Sequence, residues 1–378
     1  MVYKIFLTAM AFVVLAGDVC GAERPDIGDA LKETERPVEL DQQKQDIPKI
    51  EQDPVEKQMQ PMGGRKILIE SITIQGNNAL KSKRLEDLVN IEEFTGEKIS
   101  LAKMEKAAAV ITRYYRENGY FVARAYIPEQ EIQDSELTIA VIEGEYGQFR
   151  LTNDSLVRDF LLQGMLDAVK DENVISVNTI ERAMLIINDT PGARVTQADV
   201  MPGKETGTSD FAITAEPAKR FSGYVVGDNY GSRYTGEERL SVGFDLNSPL
   251  KIGDRLSFYG MLTDKRDLEN YRIGYSLPLS YTGMRAELAY SQTEYELGEE
   301  YSELDAVGTS EEVELEFTYP LIRTRLTNLK AFTSLSTRDM TDEIRVVDTK
   351  TQKQADSMTV GLDFTKDVGI WEWATQSG

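Results

Sequence analysis

From Phe221 to Phe364 apolar and polar residues alternate in about eight short segments, the period of strands with one oily and one wet face. In Leu240-Ser241-Val242-Gly243-Phe244-Asp245-Leu246 the even positions are apolar and the odd ones small or charged. A helix would place its apolar stripe every three or four residues instead. The same script recurs: Tyr271, Ile273, Tyr275 and Leu277; Met284, Ala286, Leu288 and Tyr290; Val313, Leu315, Phe317 and Tyr319; Met358, Val360, Leu362 and Phe364. This period alone suits a soluble β-sandwich as well as a membrane barrel. The connections separate the two. Ser248 to Asp254, Ser280 to Gly283 and Arg323 to Thr327 are short, whereas Thr293 to Glu312 and Arg338 to Ser357 are long. Short turns on one side and long loops on the other are the habit of outer-membrane barrels.

Upstream, residues 67 to 215 show the order strand, helix, helix, strand, strand twice, in units of about 75 residues. The first unit has a strand at Ile67 to Ile74, the turn Gly76-Asn77-Asn78 and a short helix at Ser82 to Asn90. A second helix begins after Ser100, with Leu101, Met104, Ala108, Ile111 and Tyr115 on one stripe. Asn118-Gly119 ends it, and strands follow at Tyr120 to Ile127 and Glu136 to Ile142. The second unit has a strand at Gln148 to Leu151 and a helix at Leu156 to Val169. A further helix opens on Asn178-Thr179-Ile180-Glu181, read as a capping box, and stops at Pro191-Gly192. Strands at Arg194 to Val200 and Ser209 to Thr214 complete the unit.

The start of the chain adds an address. Lys4 precedes an apolar run from Ile5 to Gly17 and the small-residue stretch Cys20-Gly21-Ala22, the form of a secretory signal peptide cleaved near Ala22. The alternative, a retained anchor, calls for about 20 apolar residues and the run is shorter. Residues 23 to 64 are rich in Glu, Asp, Gln, Lys and Pro and read as a periplasmic extension or linker. A short helix at Asp29 to Glu35 is compatible with them.

Composition narrows the chemistry. Cys20 is the one cysteine, so a chain cleaved at Ala22 carries no disulfide framework. Histidine is absent, which removes Ser-His and Cys-His nucleophilic machinery and histidine metal ligands. A net charge of -22 argues against a nucleic-acid partner. Mean hydropathy is -0.37, which a barrel tolerates because only alternate residues meet lipid. The acidic pairs Glu299-Glu300 and Glu311-Glu312 fall in an expected external loop and read as a solvated face. Gly231-Ser232-Arg233-Tyr234-Thr235-Gly236 has P-loop glycine spacing, but Glu237-Glu238 stands where Lys-Ser/Thr would hold phosphate, so no nucleotide site is expected. The sequence calls for no catalytic, cofactor or metal residues. Arg239, Arg255, Arg272 and Arg285 face the expected lumen, where they either line and hydrate the wall or guide an acidic passing chain.

At Gly119-Tyr120-Phe121-Val122-Ala123-Arg124-Ala125-Tyr126-Ile127-Pro128-Glu129-Gln130, followed by Leu137 to Gly144, the chain resembles a first polypeptide-transport-associated (POTRA) domain of the two-partner secretion transporters. These form the haemolysin secretion and activation family typified by ShlB and FhaC. Pro191-Gly192, Pro202-Gly203 and Gly207-Thr208-Ser209 resemble the end of its second POTRA domain, and Asp228-Asn229-Tyr230-Gly231 with Arg239-Leu240 its first barrel hairpin.

After the signal peptide at 1–22 and the linker at 23–64, the resemblance implies α+β POTRA domains at 65–144 and 145–216, each β-α-α-β-β, and the first half of an antiparallel transmembrane β-barrel, about eight strands, at 217–378. It implies an outer-membrane translocator that captures one exoprotein, a haemolysin or adhesin in unfolded form, and conducts it to the cell surface without ATP. An outer-membrane assembly factor is the alternative, and a passive diffusion barrel a third reading. If the family's strand order holds, the exposed POTRA edges that bind substrate are Phe121, Ala123, Arg124, Ala125, Tyr126 and Ile127 in the first domain, and Arg194, Val195, Thr196 and Gln197 in the second. The family barrel has 16 strands. The residues after 218 suffice for half of that, so a C-terminal half with an Arg-Gly-Tyr/Phe loop is expected to be missing, and Trp371 to Gly378 to begin a ninth strand. The family's plug helix has no convincing counterpart in residues 23 to 40.

Overall fold

The computed structural model describes residues 25–34, 47–48, 66–91, 94–132, 134–171 and 174–367. The expected signal peptide, most of the linker and the start of a ninth strand lie outside them. In the first POTRA domain, β1 (Ile67–Ile69) and β2 (Ser71–Gln75) precede α2 (Ser82–Ile91), β3 (Glu97–Ile99), α3 (Leu101–Glu117), β4 (Arg124–Tyr126) and β5 (Glu136–Ile142). The helix stripe is as expected: Met104, Ala108, Ile111 and Tyr115 are buried against Leu137 and Ile139 of the sheet, while Leu101 stays exposed. Burying side chains of this size contributes up to roughly 1.5–3 kcal/mol each. The sheet order is β2-β5-β4, with β2 and β5 parallel.

Two local differences from the sequence reading follow from pairing. The strand expected at Ile67 to Ile74 is two strands, because β1 leaves the main sheet to pair with β3. The strand expected at Tyr120 to Ile127 shrinks to Arg124–Tyr126. Gly119 to Val122 instead forms the joint between the domains: Phe121 is buried in the core of the second domain, and Val177 N donates to Gly119 O at 2.9 Å. Phe121 therefore does not lie on an exposed edge, and Ile127 falls just beyond the strand.

In the second domain, β6 (Glu145–Asn153) and β8 (Thr208–Pro217) are parallel, with β7 (Ala193–Pro202) antiparallel on the outside of the order β6-β8-β7. Helices α4 (Asp159–Asp167) and α5 (Val177–Asp189) cover one face. The cap of α5 is Ser176, whose Oγ accepts from Thr179 N at 3.1 Å, two residues ahead of the expected Asn178.

The remaining strands form one antiparallel meander of eight among the described residues: β9 (Phe221–Asp228), β10 (Arg239–Asn247), β11 (Arg255–Thr263), β12 (Leu268–Pro278), β13 (Arg285–Glu296), β14 (Ala306–Arg323), β15 (Thr327–Ile344) and β16 (Thr349–Lys366). Register fixes the faces. Leu240, Val242 and Phe244 point outward with Phe258, Ile273, Leu288 and Val360, all exposed for lipid. The short turns match expectation. Most of the two expected long loops is strand instead, with β13 and β14 joined by residues 297–305 and β15 and β16 by 345–348. Above the lipid both faces meet water, so the alternation that marks a strand in sequence vanishes while the pairing continues. Glu311 and Glu312 accordingly lie in β14 rather than in a loop.

The second POTRA domain is seated on the barrel's short turns. Gly192, at φ +94°, lets the Pro191-Gly192 loop approach the first turn so closely that a Cβ would stand 2.9 Å from Ser248 Cβ. Ser248 Oγ donates to Pro191 O at 2.5 Å, and Arg158 N donates to Lys251 O at 2.9 Å. At the third turn Arg323 holds Asp189 with two bonds of 2.6 and 2.7 Å, and Arg182 donates to Pro320 O at 2.6 Å.

Candidate translocation path

The two POTRA edges differ in what they offer. β4 is three residues long, and Ala123 and Ala125 are buried. The Ala125 N–H donates to Thr112 Oγ1 of α3 at 2.9 Å, which occupies the donor an added strand would use; Arg124 and Tyr126 are the exposed positions. β7 is ten residues long, with Arg194, Thr196 and Gln197 exposed and Val195 buried. Its register shifts between Val195 and Gln197, and Val195 N donates to Asn188 Oδ1 at 2.7 Å. The remainder of β7, from Gln197 to Pro202, is the longer edge of the two.

Inside the barrel the four expected arginines do point inward, on the same face as Ser241, Asn270 and Glu287. They are held by the wall itself. Arg272 bridges Glu314 at 2.8 Å and Glu287 at 3.1 Å, and Arg255 stands 3.7 Å from the other oxygen of Glu287. Ser334 Oγ donates to Glu314 at 2.6 Å, and Arg338 pairs with Glu312 at 2.8 Å. Arg285 donates to Gly253 O and Ser276 Oγ at 3.0 and 3.1 Å, and Arg239 to Asp228 at 2.7 Å. This ladder crosses β11 to β15 and leaves the inner wall polar with its charges locally balanced. The four acidic partners were invisible as such in the sequence, since only the register places Asp228, Glu287, Glu312 and Glu314 on the inner face.

At the outer end of the strands lies α1 (Ile27–Glu33), two residues earlier than the helix expected at Asp29 to Glu35. Asp26 caps it, accepting from Gly28 N at 2.8 Å, with Asp29 reaching back to the cap backbone. Its apolar side, Ile27 and Ala30, is buried against Tyr259, Met261, Leu268, Tyr295, Leu297 and Ala306 of the inner wall. Both ends are tied. Ile27 N donates to Asp342 Oδ1 at 3.1 Å, which also accepts from the Tyr295 hydroxyl at 2.7 Å, and Lys353 pairs with Asp26 at 2.9 Å. At the other end the Glu33 carboxylate accepts from Thr235 Oγ1 at 2.7 Å and Ser232 N at 3.2 Å, while Arg239 donates to the Glu33 carbonyl. The segment from Gly231 to Gly236 thus receives a carboxylate of the chain itself. Burial raises the Glu33 pKa, with the bonds to Thr235 and Ser232 acting against it. At Asp26 burial acts upward but is outweighed by Lys353 and Gly28 N, and the net shift is downward. The weak prospect of a plug in residues 23 to 40 is therefore corrected. A short helix does sit in the lumen, and the residues that hold it, from Ser232 to Lys353, lie some 200 to 330 positions away, beyond the reach of any local sequence pattern.

A family model described as haemolysin secretion/activation protein ShlB/FhaC/HecB matches residues 207–374, and one for the ShlB-type POTRA domain matches residues 67–144. The chain belongs to this family. Members of the haemolysin secretion and activation family similar to it include the heme/hemopexin transporter protein HuxB of Haemophilus influenzae strain 86-028NP, 32% identical over 274 residues, 72% of this chain and 48% of that protein. HuxB of strain Rd is 29% identical over 96% of this chain and 64% of its own length. The outer membrane transporter CdiB of Escherichia coli is 28% identical over 60% and 38%. Among solved structures, CdiB from E. coli superposes with a TM-score of 0.64 at 22% identity, covering 90% of this chain and 61% of that one. CdiB from Acinetobacter baumannii gives 0.59 at 14%, covering 86% and 64%. These two likenesses concern the fold: POTRA domains leading into an antiparallel barrel wall. The chain spans about half to two thirds of the length of these HuxB relatives. As in the family, the barrel belongs to the outer membrane and the POTRA domains to the periplasm.

Proposed function

We propose that the chain is the receptor and leading wall of a two-partner secretion translocator, capturing one exoprotein in extended form in the periplasm and passing it through the barrel to the cell surface. The observation that carries this is the ten-residue β7, at the edge of a domain bolted to the barrel's inner turns, so that a captured strand is held beneath the pore. An extended chain adds to a sheet edge through backbone hydrogen bonds, which needs no fixed side-chain sequence and suits an unfolded passenger. The shorter β4, with Ala125 already bonded to Thr112, takes a secondary part. Arg239, Arg255, Arg272 and Arg285 serve as balanced, hydrated lining, and α1 closes the outer mouth until a passenger replaces it.

Because the HuxB relatives bear names for heme/hemopexin transport, an exoprotein of heme or hemopexin acquisition is the first cargo to test. A photo-crosslinking residue at Thr196 or Gln197 in the full-length protein should trap the exoprotein during secretion, with weak capture from Tyr126. Equal capture from both edges, or capture from neither while secretion proceeds, would sink the assignment to β7. Proline at Ala123 or Ala125 is not a clean probe, because both side chains are buried and the fold itself would suffer.

A further inference from the structure

The chain carries a net charge of -22, so any attraction to an anionic surface has to come from a local collection of cations. One such collection rings the joint between the second POTRA domain and the barrel. Arg158, Lys219, Arg220 and Lys251 are all exposed there. They share a tight frame: Arg158 N donates to Lys251 O, Asn247 N donates to Arg220 O at 2.8 Å, and Asn247 Nδ2 to Lys219 O at 2.9 Å. Beside them stand two large apolar side chains, Phe160 at 55% and Leu250 at 59% exposure.

The height of this collar is set by the strand that follows it. Phe221 comes directly after Arg220 and stacks on Phe244, 5.8 Å between ring centres, on the lipid-facing side of the wall. Lys219 and Arg220 therefore stand at the lower edge of the lipid-facing band, where phospholipid headgroups begin. The acidic groups nearby are engaged or turned elsewhere in part: Asp159 accepts from Asn153, buried Asp254 accepts from Leu250 N and the Tyr275 hydroxyl, and Glu216 lies opposite Arg194 in the β7–β8 register, with Asp154 the remaining exposed acid. Cations at headgroup level with an aromatic and an aliphatic side chain beside them match an anionic membrane surface.

We propose that Arg158, Lys219, Arg220 and Lys251 bind anionic phospholipid headgroups of the periplasmic leaflet, with Phe160 and Leu250 in the interface, so that the second POTRA domain is seated on the membrane as well as on the barrel. The full-length protein, purified from membranes containing phosphatidylethanolamine and phosphatidylglycerol, should retain phosphatidylglycerol in excess of its bulk share. Retention should fall about fivefold for each cation neutralised. K219Q/R220Q and R158Q/K251Q read this without the risk of charge reversal, and the heat-modifiable band of the folded barrel checks that each has assembled. A nitroxide at F160C should report a lipid-buried position in nanodiscs doped with phosphatidylglycerol and a wetter one in nanodiscs without it. Unchanged retention in both double variants, or a label equally wet in both nanodiscs, would overturn the proposal. A label buried to the same depth whatever the headgroup charge would also overturn it, leaving only apolar contact.

Discussion

Three residues of the inner wall are glycines because an aromatic ring from the neighbouring strand lies over each. Gly243 faces Tyr224, Gly308 faces Tyr295 and Gly361 faces Phe332, each pair directly opposite in register, and a Cβ at any of the three would overlap the ring. Glycine permits the bend that curls a sheet into a wall, and the ring restores the packing that glycine lacks. Tyr224 is thereby an inner-wall residue. Gly243→Leu should eject the Tyr224 ring and cost about 1–3 kcal/mol. A lowered thermal transition of the folded barrel, partly restored by pairing the change with Tyr224→Ala, would bear this out. In the first POTRA domain, the buried Tyr115 hydroxyl donates to Glu143 Oε1 at 2.8 Å, an oxygen that also accepts from Asn78 N and Ala79 N. Burial first, and the Glu143 bond second, push the Tyr115 pKa above its ordinary 10.0. The folded domain thus keeps a proton that the unfolded chain gives up, and the Tyr115 contribution is full below pH 10 and declines above it. Tyr115→Phe should cost about 1 kcal/mol at neutral pH and flatten the alkaline fall in urea-unfolding midpoint.

Among the elements, α1 shows what a sequence does and does not disclose. Helix α3 was legible from its own stripe, because its partners Leu137 and Ile139 ask only that one face be apolar. For α1 the propensity is local but the stability is not, since Asp342, Lys353, Thr235 and Arg239 come together only when the wall is built. The same reason hid β3, a three-residue strand defined by pairing with β1, and shortened β4, whose expected first residues were needed at the domain joint. Protonation enters here with a definite sign. The docked Glu33 has a pKa raised above 4.5, so docking of α1 strengthens as pH falls through the docked pKa; the docked Asp26 has one lowered below 3.8, so its help is lost only at still lower pH. Acidification from neutral toward the ordinary glutamate pKa should therefore hold α1 more firmly. Glu33→Gln, which removes the charge while keeping the carbonyl acceptor, should abolish that dependence. Ion conductance of the full-length barrel in planar bilayers measures it: open-state occupancy should fall with pH in the wild type and stay level in E33Q.

For the whole molecule the governing feature is the joint between receptor and wall. The Arg323–Asp189 pair is bidentate, and Arg325 spans Glu181 at 2.8 Å and the carbonyls of Ile47 and Pro48 at 3.1 and 3.3 Å. The domain order and the barrel were legible from alternation and repeat, yet nothing in Arg323 or Asp189 marked them as partners across 134 positions. Bidentate arginine–carboxylate pairs that are partly shielded from water are the stronger kind. A double-mutant cycle with Arg323→Ala and Asp189→Ala should return a coupling of about 1–2 kcal/mol. Spin-label distances from the second POTRA domain to the barrel should broaden in either single variant.

The outer rim of the wall is uneven. On β15 the outward-facing residues turn polar above Leu335, and the eight residues from Thr337 to Ile344 carry the strand onward by about 26 Å, or about 20 Å in height at a tilt near 40°. On β10 the outward face remains apolar up to Leu240, next to its end, so that side stops near the lipid. An outlet with a tall parapet on one flank and a low sill on the other has a direction. Among the described strands, the proposed passenger would be fenced from the membrane along β14 to β16 and meet the lower rim at β9 to β11. Its first folded turns would gather on that side, giving the proposed passenger a preferred heading as it leaves the barrel.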